Sequence, residues 1–152
     1  MARIESPGNT FQARNTATGA RSAVLLCSFL SVMFSIEASD AERLVKITWS
    51  GKVDSDEMRR CAEEIGVTAS KIRPGFRVLV DMTDLQSMDS AGAPYIGSIM
   101  DLCVIKQVEH VVRVIPDPHK DIGLNIMSYF RYGSKIRVTI CENLVDAMRR
   151  LA

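Results

Sequence analysis

From Met33 onward, hydrophobic and polar residues alternate with periods that define a run of short elements. Phe34 to Ala38 and Leu44 to Trp49 each alternate apolar and polar positions, and Ser39-Asp40-Ala41-Glu42 between them is a turn signal, so the pattern predicts an antiparallel hairpin. Asp54 or Ser55 then caps a helix whose apolar face is Met58, Cys61, Ala62, Ile65 and Ala69, ended by Arg73-Pro74-Gly75. Phe76 to Met82 is nearly continuous in apolar residues, the pattern of a strand buried on both faces of a helix-covered sheet. The acidic and polar run Thr83 to Asp89 reads as the turn after that strand. A second helix carries Ile96, Ile99, Met100 and Cys103, and Val111 to Ile115 is the next strand, which completes a parallel βαβ unit.

Asp117 and Pro118 mark a further helix start, with Ile122, Ile126, Tyr129 and Phe130 as the face expected to be buried and Gly133 as its C-terminal cap. Lys135 to Cys141 forms a last strand, and Leu144, Ala147, Met148 and Leu151 lie on one side of a closing helix. The order β-β-α-β-α-β-α-β-α predicts an α/β fold: a small mixed sheet, an N-terminal hairpin plus parallel strands, covered by about four helices.

The first 32 residues break this pattern. Ser, Thr, Asn, Gly and Arg dominate up to Ser22 with no helix or strand period, and Ala23 to Ile36 is an apolar run too short to span a bilayer. A positively charged leader followed by an apolar run is the layout of a secretory signal. No small-x-small cleavage site follows, and Met33-Phe34-Ser35-Ile36-Glu37 already alternates as a strand. The expectation is therefore that residues 1–32 are a disordered leader or an over-long gene start, and that residues 33–152 form a single domain.

Length and charge narrow the function classes. A chain of 152 residues, 47% hydrophobic and 24% charged, suffices for one domain with a sizeable core. Arg3, Arg14 and Arg21 against Glu5 give the first 32 residues +2, leaving −1 on the remainder of a chain whose formal net charge is +1. Neither part has the basic surplus of a nucleic-acid binder. No stable membrane insertion is expected. Cys27, Cys61, Cys103 and Cys141 are widely spaced with no Cys-x-x-Cys pair, and are read as reduced residues of a cytoplasmic protein.

The candidate chemistry lies after the Phe76 strand, where Asp89-Ser90-Ala91-Gly92 precedes a helix. Taken by itself, Asp-Ser before a helix is turn and capping chemistry. Asp81, Asp84 and Asp89 match no calcium-loop spacing, so no metal or other cofactor is expected. A hydrolase using Ser90 and His119, with Asp117 or Asp89 as the acid, is a weaker reading, because no Gly-x-Ser-x-Gly elbow or glycine-rich oxyanion loop is present. Tyr129, Phe130 and Tyr132 have helical spacing, for which core packing is the default and a partner patch the alternative.

The strand Val78-Leu79-Val80-Asp81, followed by Leu85-Gln86-Ser87-Met88-Asp89-Ser90-Ala91-Gly92, resembles the STAS domain family, which includes the bacterial anti-sigma-factor antagonists; the likeness runs from about Met33 to Leu151. A second, weaker portion is Val114-Ile115-Pro116 through Ile126-Met127-Ser128-Tyr129-Phe130 to Ile136-Arg137-Val138. The resemblance implies a non-enzymatic signalling module that controls transcription in the bacterial cytoplasm. It implies a phosphoprotein with Ser90 as phosphoacceptor, Asp84, Asp89, Ser90, Ala91 and Gly92 as the partner-binding switch loop, and an anti-sigma factor or serine-kinase-like regulator and a phosphatase as partners. The sequence departs from the family pattern at Ala91 and at Ala93-Pro94, because Pro94 has no N–H to offer a helix begun at Ser90. A docking or small-ligand-binding domain without a phospho-switch is the alternative, favoured if a pocket lies under the Pro94 helix.

Overall fold

The computed structural model describes residues 33–152. The expectations for Cys27 and the leader lie outside these residues. The alternation of the first two strands becomes an antiparallel hairpin, β1 (Phe34–Ser39) with β2 (Leu44–Val53), in which Phe34 pairs with Trp49 and Ser39 with Leu44. The remaining strands, β3 (Arg77–Met88), β4 (His110–Val114) and β5 (Arg137–Cys141), add in parallel, giving the sheet order β1-β2-β3-β4-β5. Each parallel step needs a crossover. These are α1 (Ser55–Ala69), α2 (Ala93–Ile105) and α3 (Ile122–Tyr132); α4 (Leu144–Leu151) closes the chain.

The strand period sorts the core into two layers. Val45, Ile47 and Trp49 of β2, Val78 of β3 and Val111 of β4 point into the larger cluster beneath α1, α2 and α3. Leu79, Val112, Val114 and Cys141 point the other way, against Ala147 and Leu151 of α4. Hence Val78 and Leu79 of β3, like Val111 and Val112 of β4, bury apolar side chains on opposite faces of the sheet. Of the two cap candidates for α1, Asp54 is the one used, its side chain accepting the Glu57 N–H at 2.8 Å. Cys61, Cys103 and Cys141 are buried free thiols, and burial raises the pKa of all three, Cys103 to about 11.

Two expectations are corrected. The run Thr83–Met88 is not a turn but the second half of β3, which continues alongside β2 as far as the pair Val53–Met88. Gly51, at φ +66°, takes part in the register shift that lets β2 follow it. This half pairs with β2 only, since the β3–β4 ladder ends at Asp81–Val114. With one edge free, polar side chains cost little there.

The second correction concerns α3, which is rotated relative to the apolar face read from its sequence. Ile122, Ile126, Tyr129 and Phe130 are 54–79% exposed, while Ser128 and Tyr132 are buried and Leu124 and Met127 half-buried. The cause is Arg113, 3% exposed at the centre of β4. Its guanidinium donates to Ser128 Oγ at 2.8 Å, Asn125 Oδ1 at 2.7 Å and Asp121 Oδ2 at 3.3 Å. Those three residues form an i, i+4, i+7 stripe. An unpaired guanidinium in the core would cost more than exposing four apolar side chains, so the helix turns its polar stripe inward. Burial pushes the Asp121 carboxyl up and the Arg113 guanidinium down, and each charge pulls the other part of the way back.

Candidate functional site

The early end of the β3–β4 ladder opens a crevice at the carboxyl edge of the parallel strands, where open α/β sheets bind their ligands. One wall is the free half of β3 and the turn after it, with Leu85, Met88, Asp89 and Ser90. The other is the β4–α3 connection and α3, with Ile115, Asp117, Lys120, Leu124 and Met127. Met58 and Ile96 also line the cavity, whose volume is about 510 Å³.

Ser90 opens a single turn of 3₁₀ helix, Ser90–Gly92, from which α2 starts at Ala93. Asp89 caps this turn: its Oδ1 accepts the Ala91 N–H at 3.0 Å and its carbonyl accepts the Gly92 N–H at 3.0 Å. The Ala93 N–H goes to the Ser90 carbonyl, and Pro94 has none. The amides after Ser90 are therefore engaged, so a phosphate there would meet no free N–H from residues 91–94. Asp89, Ser90 and Ala91 are exposed, as is Asp84 further back on β3.

Gly92, by contrast, is buried; a β-carbon on it would overlap the sulfur of Met58, itself 1% exposed on α1. The glycine is required by this contact between the turn and α1, which leaves it facing inward and not toward a partner.

The acids of the region do not converge. Asp81 is buried and accepts both the backbone N–H of Thr83 at 3.0 Å and its hydroxyl at 2.6 Å. Among the described residues, no three His, Cys, Asp or Glu side chains are grouped as a metal site would require. The crevice brings Ser90, Asp89 and Asp117 to its walls but not His119, which is exposed. Asp117 accepts the backbone N–H of His119 at 3.1 Å, so it caps its own turn instead of orienting an imidazole toward Ser90. The Ser90, His119 and Asp117 constellation is not assembled. His110 is buried, with Nε2 2.8 Å from Thr139 Oγ1, and desolvation together with the nearby Arg137 and Arg77 charges lowers its pKa.

Sequence reasoning missed the Arg113, Asp121, Asn125 and Ser128 cluster, which fixes the α3 wall. The available signal was an arginine amid the valines of Val111-Val112-Arg113-Val114: a charge in a strand buried on both faces needs a buried partner.

No protein-family profile matches the chain, and no curated protein matches it either. Solved structures do. An uncharacterized protein of the DUF3478 family with a SpoIIAA-like fold, from Shewanella loihica, aligns with a TM-score of 0.56 at 16% identity, covering 78% of this chain and 92% of that one. The anti-sigma factor antagonist SpoIIAA in its unphosphorylated form aligns at 0.55 and 16% identity, over 78% of this chain and 96% of its own. The Bacillus cell fate determinant SpoIIAA in the phosphorylated form gives 0.55 at 15% identity, over 78% and 99%. The described residues thus adopt the SpoIIAA-like fold, a five-stranded mixed sheet with four α-helices. No helix among the described residues is long and apolar enough to cross a membrane.

Proposed function

We propose that the chain is a regulatory protein-interaction module resembling an anti-sigma-factor antagonist, working in the bacterial cytoplasm and switched by phosphorylation of Ser90. The observation that carries this reading is the position of Ser90, exposed in the turn at the carboxyl edge of a SpoIIAA-like sheet. The turn is held by Asp89 backbone and side-chain acceptors, so a modified hydroxyl leaves the fold intact.

Phosphorylation adds about −1.5 to −2 charges at pH 7 beside Asp89, with no free amide from residues 91–94 to neutralise them. Its effect is therefore repulsion of a partner seated on Asp84, Asp89, Ser90 and Ala91. Gly92 supports the loop from below. The exposed stripe Ile122, Ile126, Tyr129 and Phe130 offers a second contact surface, its two aromatic rings packed edge to face at 5.6 Å. A serine kinase and a phosphatase supply the chemistry; this chain supplies the acceptor.

The test is an affinity pull-down with the full chain as wild type, Ser90→Ala and Ser90→Asp, with partners identified by mass spectrometry. An anti-sigma factor or kinase-like regulator retained by wild type and Ser90→Ala, and lost with Ser90→Asp, supports the switch. Equal recovery by all three forms overturns it in favour of the second reading, a STAS-like docking or small-ligand-binding domain without a phospho-switch. The cavity beneath the start of α2 favours that second reading.

A further inference from the structure

We propose that β5 and the exposed flank of α3 form the interface of a symmetric dimer, in which two copies of this chain pair their β5 strands antiparallel and continue one sheet through both. The proposal assigns an occupant to the apolar stripe of α3 and does not depend on whether Ser90 is phosphorylated.

Among the described residues, β5 is bonded to β4 on one side and to no strand on the other. An open edge is a template for another strand unless charge, proline or a bulge blocks it. The opposite edge strand, β1, carries Glu37 near its middle, whereas the middle of β5 is Val138-Thr139-Ile140 and its one charge, Arg137, stands at the end. Ile140 is 40% exposed. It pairs in register with Arg113, so it lies on the face of the sheet that α3 covers.

The two flanks of α3 have different surroundings. Arg131 ties one flank to Asp101 of α2, and Asp121, Asn125 and Ser128 hold the underside to Arg113. At about 100° per residue, Ile122, Ile126 and Tyr129 then project from the flank away from α2, which is the β5 side of the sheet. The apolar stripe and the open strand edge therefore form one continuous surface.

This surface is self-complementary. The one antiparallel register that pairs all 5 residues of β5 centres the two-fold axis on Thr139. Val138 then meets Ile140 of the second copy and Arg137 meets its Cys141, so no like charges face each other. The axis of such a pair is perpendicular to the sheet, so both α3 helices lie on the same face and their stripes meet across it. Ile122, Ile126, Tyr129 and Phe130, 54–79% exposed, offer roughly 500 Å² per copy, given about 150–250 Å² for an aromatic side chain. Two copies together reach about 1,000 Å², where specific interfaces begin, before the strand edge is counted.

The test is sedimentation velocity of the full chain over a concentration series. The expected result is a monomer–dimer equilibrium that ends at twice the monomer mass. Ile140→Lys and Tyr129→Glu, both at exposed positions, should each weaken the dimer about ten-fold or more, with circular dichroism unchanged from wild type. The register is read by mixing Val138→Cys with Ile140→Cys under oxidising conditions. A disulfide joining positions 138 and 140 should form in the mixture, identified by mass spectrometry of the linked peptides. A monomer at every concentration, a dimer that both charged variants leave unchanged, growth beyond two copies, or a mixture without the 138–140 link would each overturn the proposal. Ser90 takes no part in these readouts, so the dimer and the phospho-switch fail separately.

Discussion

The two halves of β3 share one strand and behave as different materials. From Arg77 to Asp81 the strand is paired on both edges and covered on both faces, with Leu79 inaccessible to solvent. From Met82 to Met88 it has lost β4, keeps β2, and presents Leu85 and Met88 to a cavity and Asp84 to solvent. The difference arises because β4 stops at Val114 while β3 runs on. The paired half sets stability, and the free half has side chains available for binding.

The sharpest way to break this comparison is to unpin the wall opposite the free half. Arg113→Met leaves Asp121, 1% exposed, without its counter-charge, and should cost about 3–5 kcal/mol in chemical denaturation. Arg113→Met with Asp121→Leu should recover much of that loss, because the uncompensated charge goes with the second change; if the double variant is as unstable as the single, burial of the charge is not what α3 answers to.

Next in size is the contrast within the strand itself. Leu79→Ala removes a fully buried side chain and should destabilise by about 2–5 kcal/mol. Leu85→Ala, in the free half and partly exposed, should cost about 1 kcal/mol or less. Equal losses would mean that the two halves are not distinct.

Gly92→Ala places a methyl group against Met58 and should cost about 1–3 kcal/mol. Its cost should shrink in a Met58→Ala background, measured as a double-mutant cycle. Additive costs would show that the turn does not rest on that sulfur.

The smallest expected effect is a pH dependence from the paired part of the sheet. His110 has a folded pKa below its ordinary 6.5, so the unfolded chain takes up the proton more readily. The stabilising contribution is present above pH 6.5 and is lost as the pH falls below it. Thermal midpoints should therefore drop between pH 7.5 and 5.5, by less in His110→Gln than in wild type.

The same division explains what could be read from the sequence. The hairpin, the order of elements and the two-sided burial of Val78-Leu79-Val80 were legible because period and composition agree there. The second half of β3 was not, since Thr83-Asp84-Leu85-Gln86-Ser87 has turn composition and its strand conformation depends on a ladder to β2 some thirty-five residues earlier. The face of α3 was ambiguous in principle: Ile122, Ile126 and Tyr129 have the same spacing as Asp121, Asn125 and Ser128. Only Arg113 on another element decides between them. At the candidate site, the position of Ser90 in a loop before the Pro94 helix was readable from local chemistry. The cavity was not, because its walls come from strands and helices far apart in the chain.

The central claim, that the free end of β3 carries a phosphorylation switch, is tested most directly by mass-spectrometric mapping of the full chain recovered from its own cells across growth conditions. The account predicts a phosphate on Ser90 whose occupancy changes with condition. Complete coverage of the peptide containing Ser90, unmodified in every condition, would contradict it.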